Sequence, residues 1–119
     1  MEAKLFVVSL YAEDVTAAVH FYQQVIGLKL AAHHDDRPHF KVGGGYLVLL
    51  KGKLATQPSE GTALYPLVAL LVDDFEAALE RLRQHGVDLP GGVEQAGSLR
   101  WAMFHDPAGN LIELVQKLC

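Results

Sequence analysis

The stretch Phe104-His105-Asp106-Pro107-Ala108-Gly109-Asn110-Leu111-Ile112-Glu113-Leu114 reads as a tight turn feeding an apolar strand that carries one carboxylate. Pro107 sets φ and Gly109 tolerates a positive φ, so together they mark a reversal. In the strand that follows, Ile112 and Leu114 share one face and Glu113 takes the other. A carboxylate among apolar neighbours has a raised pKa and suits a general base; it suits equally the counter-charge of a cationic ligand. Burial without a partner is costly, so Glu113 needs a donor, a water or a ligand. Arg100, Lys51 and Tyr65 are the protein groups that could serve. No second acid–base group accompanies Glu113, which favours a structural or ligand-contact role over catalysis.

Six histidines invite a metal site. His33 and His34 are adjacent, so on a strand only one of them reaches any shared site. With His39 and Asp35 they could form a cluster, but a solvated hairpin around Asp35-Asp36-Arg37-Pro38 explains them as well. No spaced His or Cys motif supports a metal. His20 and His85 fall in or at the ends of helices, where a dipole contact is reason enough for His85. His105 precedes the turn and reads as part of it. Gly43-Gly44-Gly45 leads into a strand rather than a helix and reads as a turn, not a phosphate loop.

The elements that position these residues are written twice, about sixty residues apart. Leu10 to Val15, Ala17-Ala18-Val19 and Gly27 to Leu30 are echoed by Leu71 to Phe75, Ala77-Ala78-Leu79 and Gly86 to Leu89. Phe40 to Gly45 with Leu47-Val48-Leu49 is echoed by Phe104 to Gly109 with Leu111-Ile112-Glu113. Asp14, and Asp73 or Asp74, are candidate N-caps, and Gly27 and Gly86 sit where a left-handed C-cap belongs. Val15, Ala18, Val19, Tyr22 and Ile26 make one helical stripe; Phe75, Ala78, Leu79 and Leu82 make the other. Strands are expected over 5–11, 28–34, 38–43 and 46–51, then over 65–72, 87–94, 100–105 and 111–116. The loop from Lys51 to Thr62 connects the halves. Phe40 and Phe104 are expected to pack on the helices, with Trp101 and Met103 on the opposite face.

Bulk properties narrow the class. The 119 residues suit one domain, with modules over about 3–54 and 63–117. A net charge of −4 argues against nucleic acid or an anionic membrane as partner. The single cysteine, Cys119, allows no internal disulfide and points to a reducing cytoplasm. The run Leu5 to Leu10 is too short to span a membrane and lacks the leader of a secretory signal.

The doubled strand-helix-three-strand unit resembles the vicinal oxygen chelate superfamily, the group of glyoxalases, bleomycin-resistance proteins and dioxygenases. The residues that carry the resemblance are Glu13-Asp14-Val15 with Phe21-Tyr22 and Gly27-Leu28, and Asp106-Pro107-Ala108-Gly109-Asn110 with Ile112-Glu113-Leu114. It implies an α+β fold of two tandem βαβββ modules, forming curved mixed sheets around a ligand cavity with helices on the convex side. It also implies a homodimer. The family's enzymes hold a divalent metal at four cavity-facing positions, which carry over to Val7, Leu49, Leu67 and Glu113. Valine and leucine offer no lone pair, and a catalytic ion needs about three protein ligands. No metal and no other cofactor is therefore expected.

Those positions leave an apolar cavity floor with Ser9, Tyr65 and Glu113 as polar exceptions and Trp101 and Met103 as further lining. The function expected is metal-independent binding of a small organic ligand, as in the bleomycin-resistance branch. The ligand would be an antibiotic or a hydrophobic or cationic metabolite. The alternative is a glyoxalase-like lyase or isomerase, or a dioxygenase-type enzyme, using displaced ligands such as His33 and His39 or Glu113 as base. An interaction module with a filled cavity is the third reading.

Overall fold

The computed structural model describes residues 1–2, 4–34, 37–53 and 67–118, with only the backbone for 32–34. The chain divides into two compact units, Met1–Ala55 and Thr56–Cys119. Each holds a four-stranded mixed sheet and one helical segment, the α+β pattern of tandem βαβββ modules.

In the first unit the strands are β1 (Val7–Ala12), β2 (Lys29–His34), β3 (Arg37–Val42) and β4 (Gly45–Lys51), in the order β1-β4-β3-β2. β1 runs parallel to β4 and the other pairs are antiparallel. Helix α1 (Val15–His20) starts where the Asp14 carboxylate accepts the Ala17 amide at 3.0 Å. It continues as a π-helical segment, Phe21–Ile26, that ends at Gly27 with φ 90°. The wider turn brings adjacent Phe21 and Tyr22, with Val25, into the core, whereas Val19 and Ile26 of the expected stripe are only partly covered. The Tyr22 ring lies 6.0 Å from that of Phe40, which fixes the face of β3 turned toward the helix. Phe40 pairs with Leu47, so Leu47 and Leu49 share this face with Leu10.

The second unit repeats the order as β5-β8-β7-β6: β5 (Val68–Leu71), β6 (Glu94–Ala96), β7 (Leu99–His105) and β8 (Leu111–Lys117). Helix α2 (Phe75–Gln84) is capped by Asp74, whose carboxylate accepts the Ala77 amide at 3.1 Å. It buries Phe75, Leu79 and Leu82 at the expected spacing. Past its end, Gly86 at φ 72° lets the Val87 amide return to the Leu82 carbonyl at 2.9 Å. Arg100 sits over the Phe75 ring at 5.2 Å and pairs with Glu76 at 3.1 Å, so Arg100, Ala102 and Phe104 face the helix.

The strand expected over 87–94 is absent. Pro90 lacks an amide, the Gly92 amide closes a turn onto the Leu89 carbonyl at 2.8 Å, and pairing begins only at Glu94. Leu67 precedes β5, and Tyr65 with most of the connecting loop lies outside the described residues. Among the described residues no helix is long and apolar enough to cross a membrane.

Candidate functional site

The turn before β8 is built by Asp106, a residue whose role the Pro-Gly reading missed. Its Oδ1 accepts the amides of Ala108 at 3.0 Å and Asn110 at 2.8 Å, and its Oδ2 accepts Asn110 Nδ2 at 2.9 Å. At 4 % exposure it is the buried charged residue among those described. An Asx side chain just before Pro-x-Gly-Asn was the available signal. This turn sets the register in which β8 meets β7.

That register places Glu113 opposite Met103, Val115 opposite Trp101 and Leu111 opposite His105. Ile112 and Leu114 are buried with Ala102 and Phe104 toward the helix. Trp101, Met103, Leu111 and Glu113 therefore share the face away from the helix, each partly exposed. A cavity of about 210 Å³ opens on this face. Trp101, Met103, Phe104 and His105 of β7 and Leu111 of β8 line it together with Pro90, Gly91, Gly92 and Glu94. Glu113 lies beside Met103, where burial pushes its carboxyl above the ordinary 4.5 and the charge of Glu94 pushes it further.

Of the candidate partners of Glu113, Arg100 is committed to the helix face, where it donates to Glu76 and to Gln116, each at 3.1 Å. Tyr65 lies outside the described residues.

In the first unit Val7 pairs with Tyr46 and Ser9 with Val48, on the face away from the helix. Leu49 is not on that face. It is 1 % exposed and packs with Leu10 and Leu47, so its placement as a cavity position is corrected by one residue. Phe40 pairs with Leu47 as Phe104 pairs with Ile112, which makes Val48, not Leu49, the mate of Glu113. The slip arises because two residues separate β3 from β4, whereas Asp106 to Asn110 separate β7 from β8. Leu67 is 41 % exposed just ahead of β5. Side chains of His33 and His34 lie outside the description; His39 donates Nδ1–H to the Arg37 carbonyl at 2.7 Å.

The family model for the Glyoxalase/Bleomycin resistance protein/Dioxygenase superfamily matches residues 4–114. The chain belongs to this superfamily. A lactoylglutathione lyase of Salmonella typhimurium is 30% identical over 115 residues, spanning 87% of this chain and 84% of that protein. The crystal structure of TnmS3, an antibiotic binding protein from Streptomyces sp. CB03234, is 27% identical with a TM-score of 0.78, covering 98% of this chain and 97% of that one. The fosfomycin resistance protein FosX of Listeria monocytogenes shares the fold, with a TM-score of 0.78 at 18% identity over 98% of this chain and 94% of its own.

The metal positions that the resemblance implies do not supply a donor set: Val7, Leu67 and either Val48 or Leu49 carry no side-chain lone pair, which leaves Glu113 alone. Among the described residues no group of three or more His, Cys, Asp or Glu could hold an ion.

Proposed function

We propose that this protein binds a small organic molecule without a metal, on the face of its second unit that carries Trp101, Met103 and Glu113. The observation that carries the reading is the cavity of about 210 Å³ floored by an indole and a thioether, beside a carboxylate held in partly buried surroundings. Such a floor takes a flat apolar body, and Glu113 supplies a polar contact that fixes its orientation. Likeness to an antibiotic binding protein supports sequestration of an antibiotic or a hydrophobic or cationic metabolite as the biological role. Val7 and Ser9 of the first unit and Leu67 of the second keep their proposed ligand-contact roles, and Leu49 belongs to the core of the first unit. Tyr65 keeps its proposed contact role.

The same reading takes the working form as a cytoplasmic homodimer. Leu5 at 81 % and Phe6 at 67 % exposure are large apolar groups that a second chain would cover. Light scattering on an eluting size-exclusion peak measures this.

A lyase is the second reading, supported by the raised carboxyl of Glu113, which suits a general base, and by the lactoylglutathione lyase relative. Screening small organic molecules in the presence of EDTA, with the indole cross-peak of Trp101 as reporter, tests the binding proposal. Saturable shifts at Trp101 are expected. A screen that leaves Trp101 unmoved, or lyase turnover of lactoylglutathione that EDTA abolishes, would set the proposal aside.

A further inference from the structure

Glu94 lies across β7 from Glu113. The β6–β7 pairing sets Glu94 opposite Trp101, and the β7–β8 pairing sets Glu113 opposite Met103. Trp101 and Met103, two residues apart, point to the same side, so the cavity floor runs between two carboxylates. Arg83 pairs with Glu80 and Arg100 with Glu76, and among the described residues neither Glu94 nor Glu113 takes part in an ion pair.

The turn ahead of β6 determines where the Glu94 carboxylate rests. A Cβ at Gly91 would lie 2.9 Å from Glu94 Oε1, so the side chain folds back against the Pro90–Gly92 wall of the cavity. Gly92, at φ +61°, lets the chain turn there. The absence of a side chain at position 91 is what gives the carboxylate room.

We propose that Glu94 determines the ligand's chemical class: together with Glu113 it selects an organic cation with a flat apolar body over a neutral molecule of the same shape. This rests on the cavity reading above. A cation over the indole of Trp101 gains from the ring's negative face, and it relieves the repulsion between two carboxylates that have no basic partner among the described residues. A neutral ligand gains the apolar contact alone. The cavity's size, below the ~300–1,000 Å³ of drug-sized pockets, restricts the recognised part to about a small fused ring system.

N-Methylquinolinium and 1-methylnaphthalene have nearly the same shape and differ by one charge. The chain has one tryptophan, so a single indole cross-peak reports binding of either. The cation is expected to bind about fivefold more tightly, and Glu94→Gln to remove about that factor while leaving the neutral compound's affinity unchanged. Gly91→Ala, which keeps the charge but crowds the carboxylate, should lower the preference in the same direction. Glu94 is exposed, so its variant should melt with the wild type and the loss cannot be laid to unfolding. Equal affinities in the wild type, or a preference that survives Glu94→Gln, would overturn the role of Glu94 while leaving the cavity reading standing. If neither compound moves the cross-peak, the cavity reading fails and this inference fails with it.

Discussion

Val48 and Glu113 occupy the same place in the two units, Val48 opposite His39 and Glu113 opposite Met103. Polarity is thus exchanged between matching positions. The first unit sets a polar ring beside an aliphatic residue; the second sets an aliphatic thioether beside a carboxylate. Neither pair supplies the ligand count that a catalytic divalent ion needs. What the second pair supplies is an apolar surface with one charge at its margin, the feature on which the proposal of an organic ligand rests.

The Glu113 carboxyl should mark the pH dependence of stability. Its pKa is raised in the folded state, so the native chain holds this proton more tightly than the unfolded chain does. Its contribution is full below the ordinary 4.5 and is lost as pH rises through the folded value. Glu113→Gln removes that loss. Thermal melts should therefore show the variant gaining on the wild type as pH moves from about 4 to about 7. A gap that stays constant or narrows would show that Glu113 is not held in desolvating surroundings.

Asp106→Ala should cost about 3 kcal/mol, since it removes an acceptor that ties two amides and a side-chain amide into one turn. Asp106→Asn keeps one acceptor oxygen and should cost about half as much. Urea midpoints measure both. A loss below about 0.5 kcal/mol for the alanine variant would mean that Pro107 and Gly109 hold the turn unaided.

Two neighbouring glycines should respond in opposite ways. A Cβ at Gly45 would collide with the Phe6 carbonyl oxygen and come within 3.0 Å of the Leu5 carbonyl oxygen, both backbone atoms. Gly45→Ala should therefore cost about 1–3 kcal/mol. At Gly44 an added Cβ meets nothing within 4 Å, so Gly44→Ala should be neutral or gain up to about 1 kcal/mol. Equal melting temperatures for the two variants would contradict the close approach of residues 5–6 to the start of β4.

Much of this fold could be read from the residues because the signals are local. Asp14 and Asp74 cap as expected because an Asp ahead of an apolar stripe has amides to satisfy within one turn. Phe40 and Phe104 turn to the helices because strand alternation sets them on one face with their apolar partners Leu47 and Ile112, and that face is the buried one. The π-helical segment was not legible, since one extra residue in a turn leaves the composition unchanged and only rotates which side chains are buried. The repeat mate of Glu113 is Val48, one residue from the Leu49 that the sequence alignment of the halves gives, because turn length, not strand composition, sets register. Glu94 escaped notice for a related reason: read as part of a long strand from residue 87, it had no fixed partner. Once the Pro90–Gly92 turn shortens that strand, Glu94 falls opposite Trp101.

Native mass spectrometry on tag-free protein, purified with neither added metal nor chelator, tests the central claim most directly. The expected species has the mass of two polypeptides, alone or with an organic adduct, and no stoichiometric divalent ion. One tightly held divalent ion per chain would contradict it and turn the search for ligands to Glu113, His33, His34 and His39.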